Sequence, residues 1–288
     1  METAAAAIEI VPASTYHPTT TTWPLKCEHT AEELNKRIPL DQLQAVSPNP
    51  LETPFLLPQN YRTTRACFEG TSCFRAVRDD FVSLEEAQLL WQGLVPNYGR
   101  EKSKSPQNGE LYMGIQENYF PAGLLNNITS RMKFFLESEM GARGVKVSHT
   151  NSRGEWRFLK GNATAGHESA ARRQKELLEG RFTRRHGHVD SARPTNWHYT
   201  CLLYVGEHDP DKFAGGETLL IDEVSKTGAV KRGLLVEPRR QRLLAFTSGA
   251  ENVHTALEAT YGFRSLMQIW FSCEPHKRPV GDTPRVEL

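Results

Sequence analysis

The stretch Arg185-His-Gly-His-Val-Asp190 contains a histidine and an aspartate that are separated by one residue, His188 and Asp190. Side chains alternate along an extended segment, so residues two positions apart point to the same side. The pair can therefore offer an imidazole nitrogen and a carboxylate oxygen to one point in space. Taken alone, the pair is a weak motif, and the alternative is a histidine at a strand end with an aspartate that stabilises a turn.

Two later residues give this pair a chemical context. His254 lies in Ser248-Gly-Ala-Glu-Asn-Val-His254, and Arg264 follows in Tyr261-Gly-Phe-Arg264. Two histidines and one carboxylate on one face of a metal leave the opposite face open, an arrangement typical of non-haem Fe(II) oxygenases. An arginine beside such a site can hold a dicarboxylate through paired hydrogen bonds. The alternative for Arg264 is a charge at a strand edge in a surface ion pair.

The sequence around these residues predicts a mainly β fold. Short apolar segments with turn-forming residues between them follow residue 185, at Trp197–Val205, Glu217–Ile221, Leu234–Val236, Arg242–Phe246 and Leu266–Ser272. Several short strands without intervening helices are typical of an antiparallel double-sheet jelly roll. Such a sandwich can hold a small molecule between its sheets.

Two helices are predicted upstream of the strands. Ser83 and Glu86 form the pattern of a capping box at the start of one helix. A second helix is expected from Pro121, a favourable residue for a first turn, to Gly141. The fold class is therefore α+β with a mainly β core, a double-stranded β-helix (jelly roll) with supporting N-terminal helices.

We divide the chain into four segments on this basis. Residues 1–24 are rich in Ala, Thr and Pro and are expected to form a disordered arm. An N-terminal extension with the supporting helices spans 25–165, and the domain that carries the site spans 166–276. A C-terminal tail covers 277–288. A polar stretch at about 164–180 is expected to be an exposed helix or insertion.

Composition limits which binding partners and which cellular compartment are expected for the chain. The 288 residues carry a net charge of +1, which gives no argument for a nucleic-acid partner. No apolar run approaches the roughly 18 residues of a membrane span, and the start lacks the features of a secretory signal, so a cytoplasmic location is expected. The odd number of cysteines favours reduced thiols, with a local pair as the alternative for Cys67 and Cys73. The cysteines are Cys27, Cys67, Cys73, Cys201 and Cys273.

The run from His188 to Cys273 resembles the prolyl-4-hydroxylase-type branch of the 2-oxoglutarate- and Fe(II)-dependent oxygenases. It is more similar still to the animal 2-oxoglutarate- and iron-dependent oxygenase domain-containing proteins of the third type. The matching stretches are His186-Gly-His-Val-Asp190, Tyr199-Thr-Cys-Leu-Leu-Tyr204, Phe213-Ala-Gly-Gly216, Val236-Glu-Pro-Arg239, Phe246-Thr-Ser-Gly-Ala-Glu-Asn-Val-His254 and Phe271-Ser-Cys273. The chain departs from these animal proteins in lacking their N-terminal membrane anchor, so no membrane location is expected.

The resemblance implies a role for each candidate site residue. His188, Asp190 and His254 would be the iron ligands, and Arg264 would bind the distal carboxylate of 2-oxoglutarate. Many prolyl 4-hydroxylases have lysine where this chain has Arg264, and either cation can pair with a carboxylate. Tyr199 and Tyr204 would lie along the same pocket, with core packing as the alternative for each.

The resemblance also implies a reaction. Fe(II) would be the cofactor, 2-oxoglutarate and dioxygen the cosubstrates, and ascorbate the reductant that restores Fe(II). An unactivated C–H bond, of a prolyl or other peptidyl residue or of a small molecule, would be hydroxylated while 2-oxoglutarate becomes succinate. Two alternatives remain open, a catalytically inactive jelly-roll binding module and a zinc or manganese hydrolase that uses the same triad.

Overall fold

The computed structural model describes residues 7–27, 36–38, 73–97, 110–142, 144–157, 187–190, 197–206, 213–225, 229–257 and 259–273. Within these ranges the chain forms twelve strands and two α-helices. The strands are β1 (Ala7–Val11), β2 (Thr21–Leu25), β3 (Cys73–Arg78), β4 (Glu110–Gly114), β5 (Lys146–Arg157), β6 (Tyr199–Tyr204), β7 (Ala214–Gly215), β8 (Thr218–Val224), β9 (Val230–Val236), β10 (Leu243–Thr247), β11 (Val253–Ala256) and β12 (Ala259–Ser272). The helices are α1 (Leu84–Leu94) and α2 (Leu124–Ser138).

The strands form two sheets. The larger sheet has the order β2-β3-β10-β6-β12-β5-β4, with β7 paired to β12, and the smaller has the order β1-β9-β8-β11. Strand pairs are antiparallel apart from β1 with β9. His188 continues the smaller sheet through an antiparallel bridge to His254. This arrangement confirms the predicted jelly roll, with one parallel pair that the sequence did not indicate.

An apolar core fills the space between the sheets. Alternation along each strand sends every second side chain into this space. The core contains Val11, Val77, Leu202, Tyr204, Leu220, Leu234, Val236, Leu244, Phe246 and Leu266. The residues between them on the same strands face away and pack elsewhere, as Leu219 and Leu235 do beneath the smaller sheet.

The helices support the larger sheet from its outer face, as predicted. Helix α1 begins with the expected capping box, because Ser83 and Glu86 each bond the backbone of the other. Helix α2 begins after Gly123, which adopts a left-handed conformation with φ +80°, and so starts three residues later than Pro121 suggested. Both helices bury apolar side chains in one cluster with the outward side chains of β6 and β12, including Leu90, Ile128, Met132, Cys201, Met267 and Ile269.

The prediction of a disordered arm is wrong for most of residues 7–24. Strand β1 pairs with β9, and β2 pairs with β3. The buried Arg242 guanidinium donates to the backbone carbonyls of Pro12 and Thr15 and bonds both carboxylate oxygens of Asp79. The Ala, Thr and Pro content did not indicate this order, because the order comes from pairing with strands that are distant in sequence. Residues 1–6 lie outside the described residues.

The expectation of reduced thiols is also wrong for part of the chain. Cys27 and Cys73 form a disulfide, and Cys273 is disulfide-bonded to a partner outside the described residues. Pairing of β2 with β3 places Leu25 opposite Cys73, which brings the end of β2 next to that cysteine. Proximity in sequence could not reveal this pairing. Cys201 is free and buried, and Cys67 lies outside the described part of the chain.

The described residues do not test three further predictions. The polar stretch at 164–180 and the tail at 277–288 lie outside the described residues. The four-segment division therefore stays a prediction beyond the strands and helices given above. Among the described helices, neither is long and apolar enough to cross a membrane.

Candidate metal centre

His188, Asp190 and His254 come together at one end of the space between the sheets. One ligand atom from each lies within 4.8 Å of those of the other two. Asp190 is 3.6 Å from each histidine, through its Oδ1 to Nε2 of His188 and through its Oδ2 to Nε2 of His254. Two backbone hydrogen bonds of 2.8 Å join His188 to His254, so the two imidazoles are fixed as cross-strand neighbours. The smaller sheet thus positions the two histidines.

Backbone and side-chain contacts orient the His254 ring. Its Nδ1 lies 3.0 Å from the carbonyl oxygen of Asn252 and donates to it, so Nε2 is left to face the cluster. Asn252 is itself held by the buried Arg75, whose Nε donates to the Asn252 Oδ1 at 2.7 Å. Asn252 and Arg75 escaped the sequence analysis because Arg75 lies on β3, far from the motif, and only folding brings it to the cluster.

Asp190 is buried but favours its ionised form. Burial by itself raises the pKa of this carboxyl group, whereas the charges of His254 and His188 and hydrogen bonds from Thr200 and Trp270 together lower the pKa below its usual value. The Thr200 hydroxyl donates to Oδ2 at 2.6 Å. The side chains of Asp190 and His254 are 4% and 5% exposed, while that of His188 is 31% exposed. The cluster is therefore open to solvent on the His188 side.

A cavity continues from the cluster to a buried arginine. Its lining residues are His188, Leu202, Thr218, His254, Ala256, Arg264, Leu266 and Gln268. Arg264 is 2% exposed, and its Nη2 donates to the Thr218 hydroxyl at 3.3 Å. Thr218 also shares a 2.6 Å hydrogen bond with Tyr204, and burial raises the pKa of the Tyr204 phenol. A cation and two neutral hydroxyls thus meet at the end of the cavity opposite the triad.

Gly216 makes room for the Arg264 side chain. Its φ of +70° belongs to the left-handed region, and a Cβ at this position would lie 2.7 Å from Cδ of Arg264. Gly215 also has a positive φ. The absence of a side chain at Gly216 thus leaves the space that the arginine needs.

Tyr199 takes the core-packing alternative that the sequence left open. Tyr199 packs against the helices on the outer face of the larger sheet and stacks on Phe74, with ring centroids 6.1 Å apart. Strand β6 alternates, so Thr200, Leu202 and Tyr204 face the cavity while Tyr199 and Cys201 face the opposite way. Of the two candidate tyrosines, the structure brings only Tyr204 next to Arg264.

The residues present fit a divalent iron site. Two imidazole nitrogens and one carboxylate oxygen converge from one side, and the Asp190 environment favours the charged carboxylate that binds a cation. This donor set is the one that non-haem Fe(II) oxygenases use. The structure therefore supplies three ligand positions and leaves one side of the cluster accessible.

Fold, triad and buried cation together define the class of this domain. Residues 178–272 match the family model described as the 2OG-Fe(II) oxygenase superfamily. The match confirms the resemblance found in the sequence and covers about a third of the chain.

Named relatives are similar to part of this chain. The 2-oxoglutarate and iron-dependent oxygenase domain-containing protein 3 of Xenopus tropicalis is 39% identical over 97 residues, which cover 34% of this chain and 28% of that protein. Prolyl 3-hydroxylase 2 of Homo sapiens is 32% identical over 82 residues, 28% of this chain and 10% of that protein. The crystal structure of a Pseudomonas putida prolyl-4-hydroxylase matches with a TM-score of 0.48 at 16% identity, over 70% of this chain and 93% of that one. The chain thus covers less than a third of the curated relatives' length.

Proposed function

We propose that the protein is an Fe(II)- and 2-oxoglutarate-dependent dioxygenase that hydroxylates an unactivated C–H bond. The observation that carries this proposal is one cavity with the His188, Asp190 and His254 cluster at one end and the buried Arg264 at the other. A metal centre alone would suit many reactions. A metal centre facing a buried cation suits a cosubstrate that has a chelating end and a distal carboxylate.

Each side chain has a defined task in this proposal. His188, Asp190 and His254 hold Fe(II), with His254 presented through Nε2 because Asn252 accepts from its Nδ1. Arg264 binds the distal carboxylate of 2-oxoglutarate, and the Tyr204 and Thr218 hydroxyls lie beside Arg264 to bond the same group. Burial of this end excludes water, which strengthens the pairing of Arg264 with the carboxylate.

Fe(II), when bound, supplies the activation of dioxygen that oxidises both substrates. One oxygen atom enters succinate as 2-oxoglutarate loses carbon dioxide, and the other enters the hydroxylated product. The protein orients the reactants, and the exposed His188 side is where the primary substrate approaches. Ascorbate as the reductant for oxidised iron stays a prediction from the resemblance.

The primary substrate belongs to one of two classes. A prolyl or other peptidyl residue is favoured by the likeness to proteins named prolyl 3-hydroxylase 2. A small molecule is the second candidate, since the cavity itself is enclosed between the sheets. Mass spectrometry after incubation with a peptide library separates the two, because a peptide substrate gains 16 Da as one oxygen atom is added.

Two other functions compete with this proposal. An inactive binding module would not need two histidines and a buried carboxylate with ligand atoms within 4.8 Å of one another. A zinc or manganese hydrolase would have no use for the buried cation at the far end of the cavity. Formation of succinate that depends on 2-oxoglutarate argues against both.

Anaerobic spectroscopy tests the proposal directly. Protein loaded with Fe(II) should bind 2-oxoglutarate and develop a weak metal-to-ligand charge-transfer band. His188→Ala should abolish the band, and Arg264→Ala should chiefly weaken 2-oxoglutarate affinity, by about tenfold or more. Wild-type protein that binds Fe(II) but neither binds 2-oxoglutarate nor shows the band would refute the proposal.

The compartment stays a prediction as well. The sequence favours a cytoplasmic location, whereas the Cys27–Cys73 disulfide is typical of an oxidising compartment. We infer from the disulfide that the chain folds where thiols are oxidised. Alkylation of the protein from its native source under denaturing, non-reducing conditions, followed by mass spectrometry, should find Cys201 alkylated and Cys27 and Cys73 protected.

A further inference from the structure

Strands β6 and β12 together form a ladder of paired residues along the cavity. Across the two strands Trp270 pairs with Thr200, Gln268 with Leu202, and Leu266 with Tyr204. The first of these pairs contacts Asp190, and the last lies beside Thr218 and Arg264. Successive pairs on one face of a strand are about 7 Å apart. The Gln268 pair is therefore the step between the metal centre and the cation.

Gln268 is a polar residue at a position that otherwise suits an apolar one. It is 9% exposed and lines the cavity with His188, His254 and Arg264. Its neighbours on the ladder, Leu202 and Leu266, offer no polar side-chain atom. The Gln268 carboxamide makes no side-chain hydrogen bond with any described residue. A nearly buried amide without a hydrogen bond costs free energy. A ligand that supplies the missing hydrogen bond would explain why this position is a glutamine.

We propose that the Gln268 carboxamide donates a hydrogen bond to the metal-facing, keto-acid end of bound 2-oxoglutarate. This inference rests on the proposed function. The distal carboxylate is served by Arg264, Tyr204 and Thr218. Near the metal, the remaining lining residues are the two histidine ligands and the apolar Leu202, Leu266 and Ala256. Among the described lining residues, Gln268 is left to donate to the keto-acid end. It is thus a positioning residue for the cosubstrate.

Binding of two ligands to the Mn(II)-loaded protein tests this role without turnover. 2-Oxoglutarate has both ends, while pyruvate keeps the keto acid and lacks the distal carboxylate. Gln268→Met preserves length and removes the donor, so affinity for both ligands should fall by the same factor, about five- to tenfold. Tyr204→Phe is the matched control from the other end of the cavity. It should weaken 2-oxoglutarate by a similar factor and leave pyruvate unchanged.

Gln268→Glu separates hydrogen bonding from packing. Glutamate has the same shape but places a negative charge beside an anionic ligand, so it should bind both ligands more weakly than Gln268→Met does. The variants keep the fold if their melting temperatures lie within about 2–4 °C of the wild-type value.

Several outcomes would overturn the inference. If Gln268→Met binds both ligands like wild type, the inference is wrong and the proposed function stands. The same holds if the variant changes only the KM for the primary substrate, since Gln268 would then contact that substrate. If the wild-type protein holds Mn(II) but neither ligand, the proposed function fails and this inference fails with it.

Discussion

Thr200 connects β6 to the metal centre. Its hydroxyl donates to Oδ2 of Asp190 at 2.6 Å and lies 2.8 Å from the Ser248 hydroxyl. Both contacts are buried, so the carboxylate has one fixed orientation. The Thr200 hydroxyl, together with Trp270, thus orients the Asp190 carboxylate.

Removal of this hydroxyl should weaken metal binding. Thr200→Val keeps the shape of the side chain and loses the donor, and loss of such an outer hydrogen bond lowers metal affinity by about tenfold. Titration with Mn(II) or Fe(II) measures the change. Thr200→Ser keeps the hydroxyl and should retain affinity close to that of wild type. Equal affinity for the valine and serine variants would contradict the role given to Thr200.

His198 couples stability to pH. It is 3% exposed, its Nδ1 accepts from the Cys273 backbone N–H at 3.3 Å, and burial lowers its pKa to about 4. The unfolded chain takes up this proton near pH 6.5, so between pH 6.5 and 4 the unfolded state binds more protons than the folded state. Stability is therefore full above pH 6.5 and falls as the pH drops toward 4.

Urea unfolding at two pH values measures this effect. The wild-type free energy of unfolding should fall by about 2 kcal/mol from pH 7 to pH 5 through His198. His198→Gln, which cannot titrate, should lose correspondingly less over the same interval. An identical pH dependence for the two proteins would show that His198 does not titrate in this way.

At the scale of elements, alternation along the strands decides which side chains belong to the site. On β6 Leu202 lines the cavity, with Thr200 and Tyr204 on the same face of the strand. On β12 the cavity is lined by Arg264, Leu266 and Gln268. The intervening residues, such as Cys201 and Met267, pack against the helices. The helices thus affect the site indirectly, by holding the larger sheet in place.

Gly216, which lies just before β8, should be as important for cosubstrate binding as the residues on the strands. Gly216→Ala places a Cβ 2.7 Å from Cδ of Arg264, so the arginine must move and 2-oxoglutarate affinity should fall by about tenfold or more. Gly123→Ala is the matched control, because Gly123 has a similar φ of +80° but its Cβ would meet no atom within 4 Å.

Both alanine variants should lose stability through backbone strain, by about 1 kcal/mol. Calorimetric titration with 2-oxoglutarate then separates them, since only Gly216→Ala should bind weakly. Equal affinity in the two variants would mean that the space beside Arg264 has no role in binding.

At the scale of the whole molecule, the N-terminal segment is part of the folded domain. Strand β1 pairs with β9 of the smaller sheet, and β2 with β3 of the larger one. Arg242 joins this segment to the core through its bonds to Pro12, Thr15 and Asp79. The Cys27–Cys73 disulfide adds a covalent link across a sequence separation of 46 residues.

Loss of that disulfide should destabilise the whole protein. A cross-link across a loop of this length contributes about 2–4 kcal/mol, chiefly by restricting the unfolded chain. The double variant Cys27→Ser/Cys73→Ser should lose that amount in urea unfolding, while its Fe(II) affinity should stay near that of wild type. A variant as stable as the wild-type protein would argue that these thiols are not joined in solution.

The sequence predicted the chemistry of the site better than its surroundings. His188, Asp190, His254 and Arg264 were proposed because the spacing of the first two follows from strand geometry and the order of all four resembles that of a known family. The sequence left both pocket lining and core packing open for Tyr199 and Tyr204, because two tyrosines on one strand can be told apart only when the packing on each face is known. Asn252, Thr200, Gln268 and Arg75 were missed, because their partners are distant in sequence.

The sequence by itself determined the jelly-roll strands, the capping box of α1, the metal-binding residue types and the basic residue opposite them. These depend on alternation, turn chemistry and residue type, all of which are local. Only the tertiary structure decided that residues 7–24 are mostly ordered, that Cys73 pairs with Cys27, and that Gln268 stands between metal and cation. These facts depend on which strands become neighbours, and strand pairing across long separations is settled by burial of the whole core.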